Sequence, residues 1–514
     1  MTHFVVGLDG ADWSLLDPWI ESGDLPAFAR LRETGVSGTL ESTLPPVTYP
    51  AWKCYSTGKT PGKLGVYEWF TRTDEGIGTN DARDFRSREY WDVLAGADVD
   101  PAVVNMPTTY PPSTDEGVLC VAGSPATTSD RYTEPPGLAD DFREAVPGYR
   151  VKPDLVLDEA TPEELVDEGW TLVDQRFDAA EWLADERDRD VVHTTVFVTD
   201  TLQHRLWDRP ERLRELYERV DARLAGLLDR TDTETVTVMS DHGFVGIDHS
   251  FFVNQWLVER GDLVFGESAS RATLARVGLT AERLKRVVDR LGLVRLAQRT
   301  VPESVQRLFP SETGRTAVQD AAVDWDETRT VSLGRGPIYV TESGFDSPGD
   351  RRDYVRELAA DLAALETPDR DPVATAVHRP EDLYTATRGH APDLLVEYAE
   401  GVDAPEGVGG DVFGGERSWI ATHRRQGVFA ASGEGIASGT ADLSIYDVAP
   451  TLLHRLGVAV PEDVDGEVRI DILTREYADH PVETGPPTAT GDDGRGGEVD
   501  ANVEETLREL GYME

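Results

Sequence analysis

Three aspartates and two histidines are the residues most able to do chemistry. Asp9, Asp200 and Asp241 each close a short apolar run: HFVVGLDG (3–10), VVHTTVFVTD (191–200) and TVTVMSDHG (235–243). His204 lies four residues after Asp200, so it faces the same point if a helical turn begins there. His242 directly follows Asp241. Any one of these aspartates alone reads as a turn or helix-cap residue. Three at strand ends, two with histidine companions, read as ligands, because converging carboxylates repel unless a cation neutralises them. A mixed Asp/His set suits Zn²⁺ or Mn²⁺, whereas Ca²⁺ and Mg²⁺ prefer oxygen alone.

The elements that carry these residues must bring them to one edge. Continuous Val/Phe-rich runs of this length suit strands buried on both faces. Amphipathic stretches lie between them, around 21–35 and over PERLRELYERVDARLAGLLDR (210–230). The alternation predicts an α/β fold, a doubly wound and mostly parallel sheet between helices. In such a sheet the C-terminal strand ends share one edge, where ligands bind. Further strands are expected at 101–106, 117–123, 337–342, 392–398 and 426–433.

A metal-assisted reaction needs a nucleophile. The segment ESTLPPVTYPAWKCYSTGKTPGKLGVYEW (41–69) reads as a Pro/Gly-punctuated loop with several hydroxyls, Ser42, Thr43, Thr48, Ser56 and Thr57 among them. Pattern alone does not choose between them. A hydroxyl beside a metal becomes a good nucleophile as its pKa falls.

Composition narrows the partners. The 514 residues carry 96 acidic and 50 basic side chains, a formal charge of −46. That excludes general binding to nucleic acid, whose phosphates demand positive surface. Only five of the basic residues are lysines, namely Lys53, Lys59, Lys63, Lys152 and Lys285. Acid runs are spread along the whole chain, and 39% of residues are apolar, which argues against an acidic disordered protein. We read a solvated acidic surface suited to molar salt, where a Debye length of ~3 Å screens self-repulsion, and expect a halophilic source. Two cysteines, Cys54 and Cys120, make no disulfide framework. The N-terminal run lacks a basic flank and no window approaches a membrane span, so a cytoplasmic location is expected.

In order, GLDGADW, PPVTYPAW…STGKTPGKLG, VTDTLQH, SDHGF and ATHRRQGVFAASG resemble the alkaline phosphatase superfamily. The branch they resemble most is the type I phosphodiesterase/nucleotide pyrophosphatase-like proteins. The resemblance implies a catalytic domain over 1–475, while composition and pattern mark insertions at about 125–190 (a cap) and 262–330 (a lid), a flexible linker at 476–500 and a C-terminal amphipathic helix at 501–514. It also implies two divalent metals, most simply Zn²⁺ with Mn²⁺ as the alternative, ~3.5–4 Å apart. One would be held by Asp9, Asp241, His242 and the nucleophile Thr48. The other would be held by Asp200, His204 and His423, a histidine that spacing alone does not reveal. The implied reaction is hydrolysis of a small phosphate ester, a phosphodiester or pyrophosphate and conceivably a nucleotide, through a phosphothreonine. Alternatives of other kinds are a phosphomonoesterase or phosphotransferase of the same superfamily, or an inactive metal-binding interaction protein.

Two departures bear on specificity. Where nucleotide pyrophosphatases carry His and then Asn after the nucleophile, this chain has Leu64 and Trp69. Sulfatases need a convertible Cys or Ser followed by Pro and Arg, and Thr48-Tyr49-Pro50-Ala51-Trp52 offers only the Pro. Among the remaining residues, His249 and His390 lie near motif positions. Asp12 and Asp447 read as helix caps or supporting residues. Lys53 reads as a surface residue, with contact to a phosphate as the other option.

Overall fold

The structure is a computed structural model that describes residues 1–73, 76–128, 131–266, 318, 323–415, 419–490, 506, 509 and 510. A ten-stranded sheet organises it. Its order runs Gly439–Thr440, Val36–Glu41, Gln426–Gly433, Thr233–Met239, Thr2–Leu8, Val191–Val196, Pro101–Val104, Leu119–Val121, Thr133–Glu134, with Leu443–Ser444 also paired to Val36–Glu41. Five neighbours, from Thr233–Met239 through Leu119–Val121, are parallel. Every residue of Thr2–Leu8 and Val191–Val196 is buried, as their unbroken apolar patterning requires of strands covered on both faces. His193, a polar residue in this core, is satisfied there: its ring contacts the Tyr55 hydroxyl at 3.1 Å and Thr195 Oγ1 at 2.8 Å.

The strand Gln426–Gly433 runs antiparallel to both neighbours. The chain enters the sheet from the edge where the parallel strands end, fixed there by the Ser240 amide bonding the Val428 carbonyl at 3.0 Å. A strand that starts at that edge can only run against them. Two other expected strands belong elsewhere. Pro337–Val340 and Leu394–Tyr398 form a separate antiparallel sheet with Thr330–Ser332 and Ala374–His378.

Helices cover the sheet. Pro162–Arg187 starts with a Thr161/Glu164 capping box and Pro at its first position. It buries Leu165, Leu172, Phe177 and Leu183 against Val191–Val196 and the helix Pro210–Asp229. This helix occupies the second half of the stretch 125–190. The expected lid, 262–330, lies outside the described residues except for 262–266, 318 and 323–330. The expected linker is tied down over its described part. Thr484–Gly485 pairs with Val460–Pro461, and Lys59 Nζ donates to Thr488 Oγ1 at 2.9 Å. Buried Lys59 needs acceptors, and Asp463 and Thr488 supply them. Of the terminal segment, Leu510 is buried and Glu509 pairs with Lys152.

Candidate metal centre

Asp9 follows the strand Thr2–Leu8, and Asp241 lies two residues beyond Thr233–Met239, on the neighbouring parallel strand. Between them sits Gly10 at φ +68°, whose amide donates to Asp241 Oδ1 at 3.1 Å. A side chain at Gly10 would meet the Phe244 ring at 2.4 Å, so the turn that aims both carboxylates requires glycine. The Trp52 indole donates to Asp9 Oδ2 at 2.8 Å. Asp200 is not at a strand end. The strand stops at Val196, and Asp200 lies in the first turn of the helix Val198–Leu206, one turn before His204. The helical turn that the four-residue spacing needs is therefore present. His423 comes from the short strand Ala421–Arg424, paired to Gly243–Gly246 just after His242.

The functional atoms converge in two groups. Asp200 Oδ1 lies 3.3 Å from His204 Nε2 and 3.2 Å from His423 Nε2, and the two Nε2 atoms are 3.1 Å apart. In the second group His242 Nε2 lies 3.6 Å from Asp9 Oδ1, 3.2 Å from Asp241 Oδ2 and 3.1 Å from Thr48 Oγ1. Ligand atoms bound tetrahedrally at 2.0–2.1 Å are separated by about 3.3 Å, so both groups have the spacing of coordination shells. The groups abut: Asp200, His242 and His423 also present ligand atoms within 4.8 Å of one another.

The histidine tautomers follow from the outer contacts. Nδ1 of His204 lies 2.7 Å from the Ala421 carbonyl, that of His423 3.0 Å from Pro46, and that of His242 3.1 Å from Gly243. A carbonyl only accepts, so each Nδ1 carries a proton and each ring turns its Nε2 inward as the ligand atom. Burial pushes His204 down to about 4 and His242 well below its usual range, which keeps both rings neutral. Nε2 of His204 and Nε2 of His423 thus face each other at 3.1 Å, an arrangement that a shared cation would satisfy. Burial, with Asp241 and Asp200 nearby, pushes Asp9 well above the carboxylate range, and burial raises Asp241 likewise. Asp9 Oδ1 and Asp241 Oδ2 are buried and accept no hydrogen bond among the described residues. The donor set therefore fits divalent cations, with Asp9, Asp241, His242 and Thr48 for one and Asp200, His204 and His423 for the other.

Thr48 is not in a loop. It is the first residue of the helix Thr48–Thr57, whose ten residues are all buried. The opening amides of a helix have no intrahelical acceptor and favour negative charge. Three of the other hydroxyls are engaged elsewhere, while Ser42 Oγ is buried with no hydrogen-bond partner among the described residues. Thr43 Oγ1 accepts from Tyr446, while Ser56 and Thr57 donate to the Lys53 carbonyl. Lys53 is itself neither exposed nor at the cluster; it is buried and paired with Glu89. Leu64 is buried in the core, and Trp69 stacks on Tyr49 at 3.9 Å. His249 pairs with Asp369 at 3.2 Å, and His390 is exposed. Asp447 closes a capping box with Ser444. Asp12 caps the helix Trp13–Ser22 and also accepts two 2.6 Å bonds from Arg424, the neighbour of His423. Sequence reading misses three supports: Trp52 on Asp9, Arg424 on Asp12, and Trp419, whose ring stacks on His204 at 3.4 Å. Each joins residues far apart in the chain, and nothing local marks them.

With the geometry in place, comparison with known proteins is informative. The profile of the type I phosphodiesterase / nucleotide pyrophosphatase family matches residues 3–429. Among solved structures, phosphonoacetate hydrolase from Sinorhizobium meliloti 1021, in complex with phosphonoformate, superposes with a TM-score of 0.53 at 16% identity, covering 87% of this chain and 94% of that one. Murine ectonucleotide pyrophosphatase / phosphodiesterase 5 superposes with a TM-score of 0.52 at 12% identity, covering 92% of this chain and 100% of that one. The human counterpart gives 0.53 at 12% identity, with coverage of 92% and 100%. At these identities the likeness concerns the fold. No curated protein matches the chain.

Proposed function

The chain belongs to the type I phosphodiesterase / nucleotide pyrophosphatase family, and we propose that it is a two-metal hydrolase of small phosphate esters in which Thr48 is the nucleophile. The observation that carries this reading is the pair of abutting ligand groups with Thr48 Oγ1 on the edge of one, 3.1 Å from His242 Nε2. When bound, two divalent cations, zinc by the Asp/His donor set, supply Lewis-acid charge to the reacting phosphoryl group. The protein's own part is positional. Thr48 is held in place by a fully buried helix, so its hydroxyl approaches phosphorus from one fixed direction. The opening amides of that helix face the oxygens on which charge develops. Attack forms the Thr48 Oγ1–P bond and breaks the bond to the leaving alcohol or phosphate, which departs with the hydroxyl's proton supplied through solvent; the phosphorylated threonine keeps the substrate's other ester group until water cleaves the Oγ1–P bond. The Nδ1–H of each of the three histidines is committed to a backbone carbonyl, which aims Nε2 at the cluster.

Rapid acid quench during turnover of bis(p-nitrophenyl) phosphate, followed by peptide mass spectrometry, tests the reading. A p-nitrophenyl phosphoryl group on Thr48 Oγ1 and about two zinc ions per chain are the expected results. An active enzyme without metal, or wild-type turnover with no trapped Thr48 adduct that Thr48→Ala sustains at the same rate, overturns it.

A further inference from the structure

A cavity of about 210 Å³ opens beside the metal centre. Its wall includes Pro46 and Val47, the residues before Thr48, and Thr422 and His423 on the opposite strand, so it starts where the reacting phosphorus would sit. Three arginines line it, and they differ in what they have left to offer. Arg424 spends Nε and Nη2 on Asp12 and Nη1 on Glu400. Arg425 directs Nη1 to Glu397 and Nη2 to Glu41 and the Ser42 carbonyl. Arg335 bonds only through Nε, to Asp403 Oδ1 at 2.8 Å. Its Nη1 and Nη2 have no hydrogen-bond partner among the described residues, and its side chain keeps 22% exposure.

Arg335 is nonetheless held rigidly. Asp403 is buried and also accepts from Thr422 Oγ1 at 2.9 Å, next to His423. The guanidinium stacks 4.4 Å from the centroid of Trp419, the same indole that lies on His204. The backbone is fixed as well. The Arg335 amide donates to buried Glu68 at 3.2 Å, and the Gly334 amide donates to buried Glu406. Gly334 has φ +74°, and a Cβ there would lie 2.1 Å from Glu68 Cγ. A guanidinium immobilised by its Nε and its flat face, with its fork left open, is a preformed receptor for a planar or tetrahedral oxyanion.

We propose that this cavity receives the part of the substrate beyond the reacting phosphorus, and that Arg335 Nη1 and Nη2 there bind a second oxyanion of the substrate, a carboxylate or a second phosphate. The proposal rests on the hydrolase reading and adds to it a substrate class: phosphate or phosphonate esters carrying another anionic group.

Three esters with a common p-nitrophenol leaving group test it in concentrated KCl: p-nitrophenyl methylphosphonate, p-nitrophenyl carboxymethylphosphonate and p-nitrophenyl methylenediphosphonate. The first has no second anion, the second a carboxylate, the third a second phosphonate. Wild type is expected to favour at least one anionic ester by kcat/KM, and which one identifies the anion. Arg335→Gln is expected to lower the anionic-to-neutral ratio about 10–100-fold, the weight of a charge-assisted forked pair, chiefly through KM. Arg335→Lys, which keeps the charge and a partner for Asp403 but lacks the fork, is expected to lower it at least about threefold. No anionic preference in wild type overturns the proposal. So does an unchanged ratio in both variants, even if all rates fall together, since Arg335 would then act only through Trp419 on His204. Turnover of none of the three refutes the hydrolase reading instead. In that case equilibrium dialysis of methylenediphosphonate decides the subsite: binding weakened tenfold or more by either variant at equal zinc content supports it, and equal binding overturns it.

Discussion

The Trp52–Asp9 contact makes a quantitative prediction about one metal position and not the other. Trp52 is buried in the helix that begins at Thr48, and its indole N–H is the donor to Asp9 Oδ2 at 2.8 Å. Asp9 Oδ1 faces His242, so the indole fixes the carboxylate plane. Trp52→Phe keeps a ring against Gly7, whose absent Cβ leaves room for the indole, but removes the donor. A hydrogen bond to a charged group contributes about 1.5–3 kcal/mol. Outer contacts of this kind change metal affinity about 10–100-fold, which is consistent at about 1.4 kcal/mol per decade. We expect that loss at the site of Asp9, Asp241, His242 and Thr48 alone. Asp200, His204 and His423 are held by other partners, including the Ala421 and Pro46 carbonyls. Competition with a chromophoric chelator should resolve two zinc affinities in wild type and show one of them weakened in Trp52→Phe. Equal weakening of both, or of neither, would refute the assignment of Asp9 to one position.

Three further outcomes are expected. Thr48→Ala should lower kcat on phosphodiesters about 10³-fold or more, roughly 4 kcal/mol of barrier, with metal content retained, while Thr48→Ser keeps part of the rate and Thr57→Ala is nearly silent; wild-type turnover by Thr48→Ala at full metal content would contradict this. Burial, with Glu68 nearby, pushes Glu406 up to about 8, so the stability its neutral form contributes is complete below its ordinary value and is lost as pH rises through about 8; Glu406→Gln should raise Tm by about 2–5 °C at pH ~9 and far less at pH ~5, and equal shifts at both would count against it. With a charge of −46, the melting temperature should rise markedly between about 0.2 M and 3 M KCl as self-repulsion is screened, and a flat profile would show that the acidic surface has no such role.

Sequence pattern carries far in the parallel part of the sheet and stops where tertiary contacts decide. Asp9 and Asp241 are legible because their apolar runs are strands that stop just before them, whereas the run before Asp200 passes into a helix and the same pattern misplaces that residue. His423 is not, because it sits on a four-residue strand whose partner is nearly two hundred residues away. The helix at Thr48 is masked by its prolines. Pro50 is nevertheless compatible with a helix start, where the missing N–H would have had no intrahelical acceptor. Lys53 reads as solvated by type, yet a helix buried on all sides leaves it no route to water, and Glu89 compensates its charge. The antiparallel strand Gln426–Gly433 has the composition of its parallel neighbours. Its direction is set by the edge at which the chain arrives with His423.

The arrangement of charge explains why these particular supports are needed. Asp9, Asp200 and Asp241 are all fully buried, burial keeps His204 and His242 neutral, and no lysine or arginine reaches the cluster among the described residues. Nearby cations are committed elsewhere, Arg424 to Asp12 and Lys53 to Glu89. Had either reached the carboxylates, it would have satisfied them with a fixed side chain and closed the site to exchangeable metal. Burial makes Asp9 and Asp241 hold protons well above the ordinary carboxylate range, so a metal bound there would displace those protons and couple its occupancy to pH and to folding stability. The same segregation leaves Arg335 as the cavity's uncommitted guanidinium among the described residues. Asp403 holds its Nε, and one indole touches both its guanidinium and His204, so the ligand cluster and the proposed subsite share a mechanical support.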